Sequence, residues 1–299
     1  TNFDVIYATA PPFTDSLIGM ELHKKFHKPL VVDYRDPWHD YPYKYYPTPL
    51  HKLRNYKLEK KVLRASSRIL VSGRRTKELI LKRFKFLEYH DVTILSHGYD
   101  PADFTDDPKI HVDKSKRLRI AHAGVFYGDR TPKHFLLALK DAIVAQPHLK
   151  DQIELVLIGN LQDEQEKLIK SLGLEGNVTI TGYLDHKHCI EYLKSSDILW
   201  MTLNNDKQSP GKLYEYLGLR KPILACVPEG FIKQTLEEAE GNIIVDPTDV
   251  KGITSAIYQL YELHKKNQLP IPKEEIVQKY NRIELTNKLS KILGFLVVE

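Results

Sequence analysis

The residues best suited to chemistry lie in the stretch Gln208–Cys226, QSPGKLYEYLGLRKPILAC. Pro210 suits the first turn of a helix, where its missing N–H removes no hydrogen bond, and Gly218 suits the end of that helix. Such a helix presents unpaired N–H groups and a positive dipole end beside Lys212, a combination that binds phosphate. Glu215 follows one turn later, where its carboxylate could accept hydrogen bonds from sugar hydroxyls. An ordinary amphipathic helix with a chance lysine fits these residues equally well.

A second candidate phosphate-binding segment is the glycine-bearing turn Gly124–Lys133, which supplies Arg130, Lys133 and the start of a helix. The turn follows a predicted strand at residues 118–123, and parallel α/β sheets bind ligands at the carboxyl ends of their strands. Two helix N-termini with two or three cations suit a diphosphate. The sequence therefore predicts that this turn and the Lys212 segment hold one diphosphate together.

Glycine and backbone groups complete the predicted ligand edge. Gly124 and Gly211 would let a ligand approach the backbone closely. Tyr183 and Leu184 follow a predicted strand at residues 177–181 and could offer backbone groups to a nucleotide base. The chain contains neither Gly-x-Gly-x-x-Gly nor Gly-Lys-[Ser/Thr], so dinucleotide binding and ATPase activity have little support.

Charged residues also follow a predicted strand in the first half of the chain, at residues 29–32. The segment Asp33–Asp36 lies directly after that strand, where a parallel sheet would bind a ligand. An ion pair within the loop between Arg35 and an aspartate is the alternative interpretation. His97 ends another predicted strand, and a structural role is favoured for it.

The elements that must position these residues are strands that alternate with helices. The alternation predicts an α/β fold with parallel sheets, right-handed crossovers and helices on both faces. A polar segment at residues 101–116 with two prolines suggests a linker, which gives domains at 1–112 and 113–272. One last helix is predicted from Lys273 to Leu293, within a segment 273–299 that packs back towards the first domain. The predicted strands cover residues 4–8, 29–32, 68–72, 92–95, 118–123, 153–158, 177–181, 197–203, 223–225 and 242–246.

The charge of the chain is unevenly spread. Residues 24–85 carry 18 Lys and Arg against 5 Asp and Glu, within a chain whose net charge is +5. A solvated helix face is the simplest interpretation of such a run. The basic residues at 57–85 also suit an anionic membrane surface. Nucleic acid is not predicted as a partner, because no recognition motif accompanies the basic residues.

Other features limit the class of protein. The chain has 299 residues, of which 42% are hydrophobic and 28% charged, as in soluble globular proteins. No metal site is predicted, because His186 and His188 do not share a helix face. Cys189 and Cys226 are expected to be small buried residues, which suits a reducing cytoplasmic setting, with the basic segment at the inner membrane face. The chain begins at Thr1, close to a predicted strand, so upstream sequence is expected to be missing.

Four segments resemble the GT-B nucleotide-sugar glycosyltransferases, specifically the retaining group called glycosyl transferase group 1, or family 4-like. They are residues 4–38, the sequence ILSHGYD at 94–100, the turn at 123–130, and SPGKLYEYLGLRKPIL at 209–224. The resemblance implies two Rossmann-like domains, of which the first is incomplete because the family's glycine-rich first loop is absent from these 299 residues.

The resemblance also implies roles for individual residues. Glu215 would hold the ribose hydroxyls of a UDP- or GDP-sugar, and Asp36 would face the acceptor and the donor sugar. Lys212 and Arg130 would bind the diphosphate and stabilise it as it leaves, with no cofactor and no obligatory metal. The implied reaction transfers the sugar, with retention, to a polysaccharide or lipid-linked acceptor. The remaining implied donor-site residues are Gly124, Lys133, Tyr183, Leu184, Gly211 and Leu213.

One departure from the family pattern keeps other functions open. Lys207 stands where the family has the first of two glutamates separated by seven residues. A non-catalytic nucleotide-sugar-binding or scaffold protein of the same fold is therefore the alternative function. A sugar-nucleotide epimerase on this fold is a third, and it would react with the donor alone.

Overall fold

The computed structural model describes residues 2–41, 44–105, 112, 115–128, 130–205 and 210–298. The chain forms two compact units. The first unit consists of the described residues of 1–97 and 282–299, and the second of those of 98–206 and 210–281. The fold class is the predicted one, an α/β chain with two parallel sheets and helices packed on them.

The first unit contains a four-stranded parallel sheet in the order β1-β2-β3-β4. Its strands are β1 (Ile6–Ala10), β2 (Leu30–Tyr34), β3 (Arg68–Val71) and β4 (Val92–Ile94). Alternation along the strands gives the sheet two apolar faces. Three helices cover the face that carries Leu30 and Val32, namely α1 (Thr14–Phe26), α2 (Pro49–Ala65) and α3 (Arg74–Arg83). The last helix of the chain covers the face that carries Val31 and Leu70.

The prediction of a single helix over residues 273–293 is wrong, since two helices lie there. They are α10 (Glu274–Gln278) and α11 (Arg282–Val298). The break occurs because the carbonyl of Tyr280 accepts a hydrogen bond of 3.0 Å from the N–H of Tyr99. Helix α10 therefore packs in the second unit, and α11 packs in the first.

The two units divide at 97/98 and 281/282, where the sequence suggested boundaries at 112 and 272. Residues 98–104 belong to the second unit because its core contains Tyr99, which is 4% exposed. The Tyr99 ring stacks on Phe104 with 5.6 Å between centroids. The polar segment at residues 101–116, which suggested the linker, therefore lies after the point at which the chain passes from the first unit to the second.

The second unit contains a six-stranded parallel sheet in the order β10-β9-β8-β5-β6-β7. Strand β5 lies between β6 and β8, so the direction of strand addition reverses beside it. Ligands of open α/β sheets bind at such a switch point. The strands are β5 (Leu118–Ala123), β6 (Ile153–Ile158), β7 (Val178–Gly182), β8 (Ile198–Thr202), β9 (Ile223–Cys226) and β10 (Ile243–Val245).

Two apolar cores lie on the two faces of this sheet. The helices that form them are α4 (Lys133–Ala145), α5 (Asp163–Ser171), α6 (His186–Ser195), α7 (Gly211–Gly218), α8 (Phe231–Ala239), α9 (Val250–Lys265) and α10. Among the residues described, no helix has the length and apolarity that crossing a bilayer requires.

Candidate functional site

A cavity of about 410 Å³ opens at the carboxyl ends of strands β5, β6 and β8 in the second unit. This is the switch point of the sheet, the expected place for a ligand. The residues that line the cavity are His122, Ala123, Gly124, Val125, Tyr127, Arg130, Ile158, Gly159, Asn160, Tyr183, Leu184, Cys189, Met201, Thr202, Leu203, Pro210, Lys212 and Tyr216.

Glycines with positive φ shape the backbone beneath the cavity. Gly124 has φ of 138° after β5, Gly159 has φ of 139° after β6, and Gly182 has φ of 70° at the end of β7. L side chains rarely adopt these values, which is why glycine is required. The N–H of Gly124 donates to the carbonyl of Ile158 at 2.8 Å, so the first two turns lie against each other.

Lys212 supplies a cation directly above Gly124. Its Nζ lies 3.1 Å from the position that a Cβ on Gly124 would occupy. Burial lowers the pKa of the Lys212 ammonium. Within the described residues it has neither a hydrogen-bond partner nor a carboxylate within 4.0 Å. The charge of Glu215 acts on this pKa in the opposite direction without forming an ion pair. A partly buried ammonium in a cavity lining that no described carboxylate contacts is suited to binding an anion.

Helix α7 holds Lys212 in this position. It begins at Gly211, and Pro210 occupies the N-cap, one residue before the first turn where the sequence placed it. Leu213 and Tyr214 are buried in the core of the second unit. The helix therefore has one face fixed by packing while Lys212 faces the cavity.

The second predicted cation, Arg130, also lines the cavity. Its guanidinium carbon lies 5.0 Å from the centre of the Tyr127 ring, and its charge contributes to lowering the pKa of Lys212. Lys133 is different: it lies exposed on the first turn of α4, outside the lining. Helix α4 begins at Lys133, and Pro132 occupies its N-cap.

The remaining predicted donor-site residues are distributed unevenly. Tyr183 and Leu184 line the cavity, and the Tyr183 side chain is 81% exposed. Leu213 has its side chain in the core, and Gly211 is exposed at the start of α7; neither lines the cavity. Lys207, Gln208 and Ser209 lie outside the described residues.

Glu215 lies one turn beyond Lys212 and outside the cavity lining. Its carboxylate oxygen is 3.5 Å from Nε2 of His186. Asp185 caps helix α6, because its side chain accepts a hydrogen bond of 3.0 Å from the backbone N–H of His188. In the part of the chain that the structure describes, no group of three or more His, Cys, Asp or Glu residues has the arrangement to hold a metal ion.

His122 is the main cavity residue that sequence reasoning missed. It lies in the apolar strand β5 and is 9% exposed. Burial lowers its pKa to about 3. The feature of the sequence that could have identified His122 is its position next to the last residue of a buried strand, at the edge of the sheet where ligands bind.

In the first unit, Asp36 follows strand β2 and lies near His97. Burial raises the pKa of Asp36, while the charge of His97 acts in the opposite direction. The loop ion pair that the sequence allowed joins Arg35 to Asp33, with Nη2 and Oδ2 2.6 Å apart. The hydroxyl of Tyr7 donates to the same oxygen of Asp33 at 2.6 Å. Asp36 is therefore not the partner of Arg35 in this pair.

The sequence profile of the family "Glycosyl transferases group 1" matches residues 103–275, more than half of the chain. The chain belongs to the glycosyl transferases group 1. Glycosyl transfer from a nucleotide sugar is therefore its class of activity. The matched residues include the whole cavity and all of the second unit's sheet. No curated protein sequence matches the chain.

Solved structures share the GT-B fold of this glycosyltransferase. Anabaena HepE, solved with UDP, has a TM-score of 0.71 at 15% identity, over 98% of this chain and 79% of HepE. Sucrose-phosphate synthase from Thermosynechococcus elongatus has a TM-score of 0.68 at 16% identity, over 99% and 74%. A glycosyltransferase from Rickettsia africae has a TM-score of 0.65 at 13% identity, over 95% and 81%. At these identities the likeness concerns the fold alone.

Proposed function

We propose that this protein transfers a sugar from a nucleoside-diphosphate sugar, with UDP or GDP as the nucleotide, to a saccharide or lipid-linked acceptor with retention. The observation that carries the proposal is Lys212, a partly buried ammonium in the cavity lining that no carboxylate among the described residues contacts directly. A bound diphosphate would supply an anion in direct contact with it. HepE, which shares the fold, has been solved with UDP and with UDP-glucose.

The cavity floor suits the diphosphate group. Lys212 and Arg130 both line it, and each presents donors to anionic oxygens. Gly124 lies below them without a side chain, so phosphate oxygens can approach its backbone. We therefore place the diphosphate between Lys212 and Arg130, with Gly124 beneath it.

The rest of the nucleotide is placed by what surrounds the diphosphate. Tyr183 and Leu184 line the cavity and would flank the base. Glu215, one turn along α7, would accept hydrogen bonds from the ribose hydroxyls after exchanging its contact with His186. Gly211, Leu213 and Lys133 have no contact with the cavity and receive no direct role in binding.

The chemical step breaks the bond between the anomeric carbon and the diphosphate oxygen and forms a bond from that carbon to an acceptor hydroxyl. The leaving diphosphate gains negative charge as its bond breaks. Fixed cations stabilise such charge at little reorganisation cost, and Lys212 and Arg130 would do so without an obligatory divalent metal. Asp36, in the first unit, is proposed to act on the acceptor side.

The direct test is release of nucleoside diphosphate from a panel of UDP- and GDP-sugars, with and without candidate acceptors. Acceptor-dependent release in EDTA, abolished by Lys212→Ala and by Asp36→Asn, would support the proposal. Nuclear magnetic resonance of the product gives the anomeric configuration, and inversion would contradict retention. Conversion of the donor without an acceptor indicates an epimerase, and binding without turnover indicates a non-catalytic protein.

A membrane surface is the proposed site of the reaction, supported by one face of helix α2. Helical spacing places Leu50, Leu53, Arg54, Lys57, Lys61 and Arg64 on one stripe, and all six are exposed. The helix's one acidic residue, Glu59, is buried on the other side. Two exposed leucines beside four cations suit an anionic bilayer surface.

Several basic residues of the predicted segment 57–85 are buried or paired with acidic residues, so they are not expected to contact lipid. Lys77 is buried, with its Nζ 3.3 Å from the Tyr89 ring centre. Arg74 pairs with Glu78, and Arg83 pairs with Asp40. The stripe on α2 is therefore the proposed lipid-contacting surface.

A further inference from the structure

The ring of His122 is held immobile at the floor of the cavity. Its Nδ1 lies 2.9 Å from the carbonyl oxygen of Trp200. One face of the ring stacks on Phe126 at 4.6 Å between centroids, and the Trp200 ring lies 4.9 Å away. Three contacts therefore fix the direction in which the other ring nitrogen points.

The protonation state of the ring follows from these surroundings. Burial lowers the pKa of His122 to about 3, and the charges of Lys212 and Arg130 act in the same direction. The ring is therefore neutral at physiological pH. A carbonyl oxygen only accepts hydrogen bonds, so Nδ1 carries the proton and donates to Trp200. Nε2 is left with a lone pair and, within the described residues, no donor.

That lone pair lies close to the cation of the site. Nε2 of His122 is 3.8 Å, and Nζ of Lys212 3.1 Å, from the position a Cβ on Gly124 would occupy. An acceptor and a cation thus converge on the same part of the cavity. A phosphate oxygen can accept a hydrogen bond from Lys212 but carries no proton to donate to Nε2. A ligand that carries a hydrogen-bond donor beside its anion can bind to both groups.

We propose that Nε2 of His122 accepts a hydrogen bond from a hydroxyl group of the sugar carried by the donor substrate. A nucleoside diphosphate alone supplies the anion and ends at its terminal phosphate, whereas the attached sugar places hydroxyl groups beyond that phosphate. His122 therefore helps the site to distinguish the nucleotide sugar from the free nucleotide, and one sugar from another. The inference rests on the proposed donor site and adds a determinant of sugar specificity to it.

Two substitutions test the role of Nε2 as a hydrogen-bond acceptor. Both remove the ring and its stacking on Phe126, but only one of them supplies a new acceptor. In His122→Asn the amide nitrogen can still donate to Trp200, but the position of Nε2 is empty. In His122→Gln an amide oxygen can occupy the position of Nε2. Loss of one neutral hydrogen bond corresponds to an affinity change of about three- to tenfold. His122→Asn should therefore weaken binding of the best UDP- or GDP-sugar by that factor, with the nucleotide alone unaffected, and His122→Gln should restore most of it.

The experiment is calorimetric titration of the wild-type protein and both variants with UDP, GDP and their glucose, galactose, N-acetylglucosamine and mannose derivatives. Circular dichroism checks that each variant is folded. A selective loss for the nucleotide sugar, recovered in His122→Gln, supports the proposal. An equal loss for sugar and free nucleotide, or no loss in either variant, overturns it while leaving the donor site intact. A wild-type protein that binds none of these ligands overturns the donor site itself.

Discussion

The hydroxyl oxygen of Tyr216 accepts a hydrogen bond of 2.8 Å from the backbone N–H of Ala123. Tyr216 lies on helix α7 and Ala123 ends strand β5, so the bond fastens the helix that carries Lys212 to the strand that carries His122. Both groups are buried, and both residues line the cavity. The position of Lys212 above Gly124 therefore depends on a side chain that is not itself charged.

Tyr216→Phe should lower the free energy of unfolding by about 1–3 kcal/mol, because the buried N–H of Ala123 loses the hydroxyl oxygen that accepts its hydrogen bond. Urea denaturation followed by fluorescence measures the change. Tyr45→Phe is the matched control: its ring is 83% exposed, and we expect a change below about 0.5 kcal/mol. Equal stability of the Tyr216 variant and the wild type would show that the bond contributes nothing.

Gly159→Ala should disturb the floor of the cavity. An added Cβ would lie 2.8 Å from the carbonyl oxygen of Gly124, and φ at this position is 139°. We expect a loss of stability of roughly 1–3 kcal/mol together with weaker UDP binding, because Gly124 must move. Gly176→Ala is the control, since a Cβ there meets nothing within 4 Å. Unchanged UDP affinity in Gly159→Ala would argue against a fixed glycine floor.

Glu59 gives the first unit a pH dependence. Burial raises the pKa of this carboxyl from 4.5 to about 8, with Arg83, Asp40 and Lys44 as the neighbouring charges. The folded state therefore binds one more proton than the unfolded state between these values. The stability associated with the protonated carboxyl is present below about pH 4.5 and is lost as the pH rises to about 8.

The variant Glu59→Gln removes this titration. Its free energy of unfolding relative to the wild type should increase between pH 5 and 8, by at most about 1.4 kcal/mol for each pH unit. Urea denaturation at four pH values measures the difference. A difference that stays constant over this range would mean that Glu59 is ionised in the folded protein.

The stripe on helix α2 predicts electrostatic binding to anionic vesicles. Lys57→Glu/Lys61→Glu should reduce sedimentation with phosphatidylglycerol vesicles strongly, since each basic side chain near the lipid contributes about 1 kcal/mol. Lys167→Glu/Lys170→Glu, an equal charge change on exposed residues of α5, should have little effect. Wild-type binding that is the same with neutral lipid, or insensitive to salt, would contradict an electrostatic contact.

Many of the strand positions could be predicted from the sequence. Strands β5 and β6 have the predicted bounds, because each is a buried run of six residues with clear flanking turns. Strand β1 covers residues 6–10, two residues past the prediction, because the small Ala10 is buried beyond the obvious apolar run. The break between α10 and α11 could not be predicted, since it depends on a contact of Tyr280 with the distant Tyr99.

The candidate site was predicted in part, for reasons that differ by residue. Lys212 and Arg130 were identified because cations next to helix starts at the ligand edge of a sheet are typical of phosphate-binding sites. Lys133 satisfies the same rule, yet its side chain lies outside the cavity. Which way that side chain points depends on the residue at which helix α4 begins, and the helix begins at Lys133 itself. His122 was missed because strand periodicity alone does not show which buried side chain reaches a cavity.

The central claim is that Lys212 binds the diphosphate of the donor, and calorimetric titration with UDP, GDP and ADP tests it most directly. The wild type should bind at least one of them. Lys212→Ala should bind that nucleotide about 10- to 100-fold more weakly, the loss expected for a charge-assisted hydrogen bond in a partly buried site. Lys133→Ala, which removes an exposed lysine outside the cavity, should bind as the wild type does. Equal affinities for the wild type and Lys212→Ala, or no binding by a folded wild-type protein, would contradict the claim.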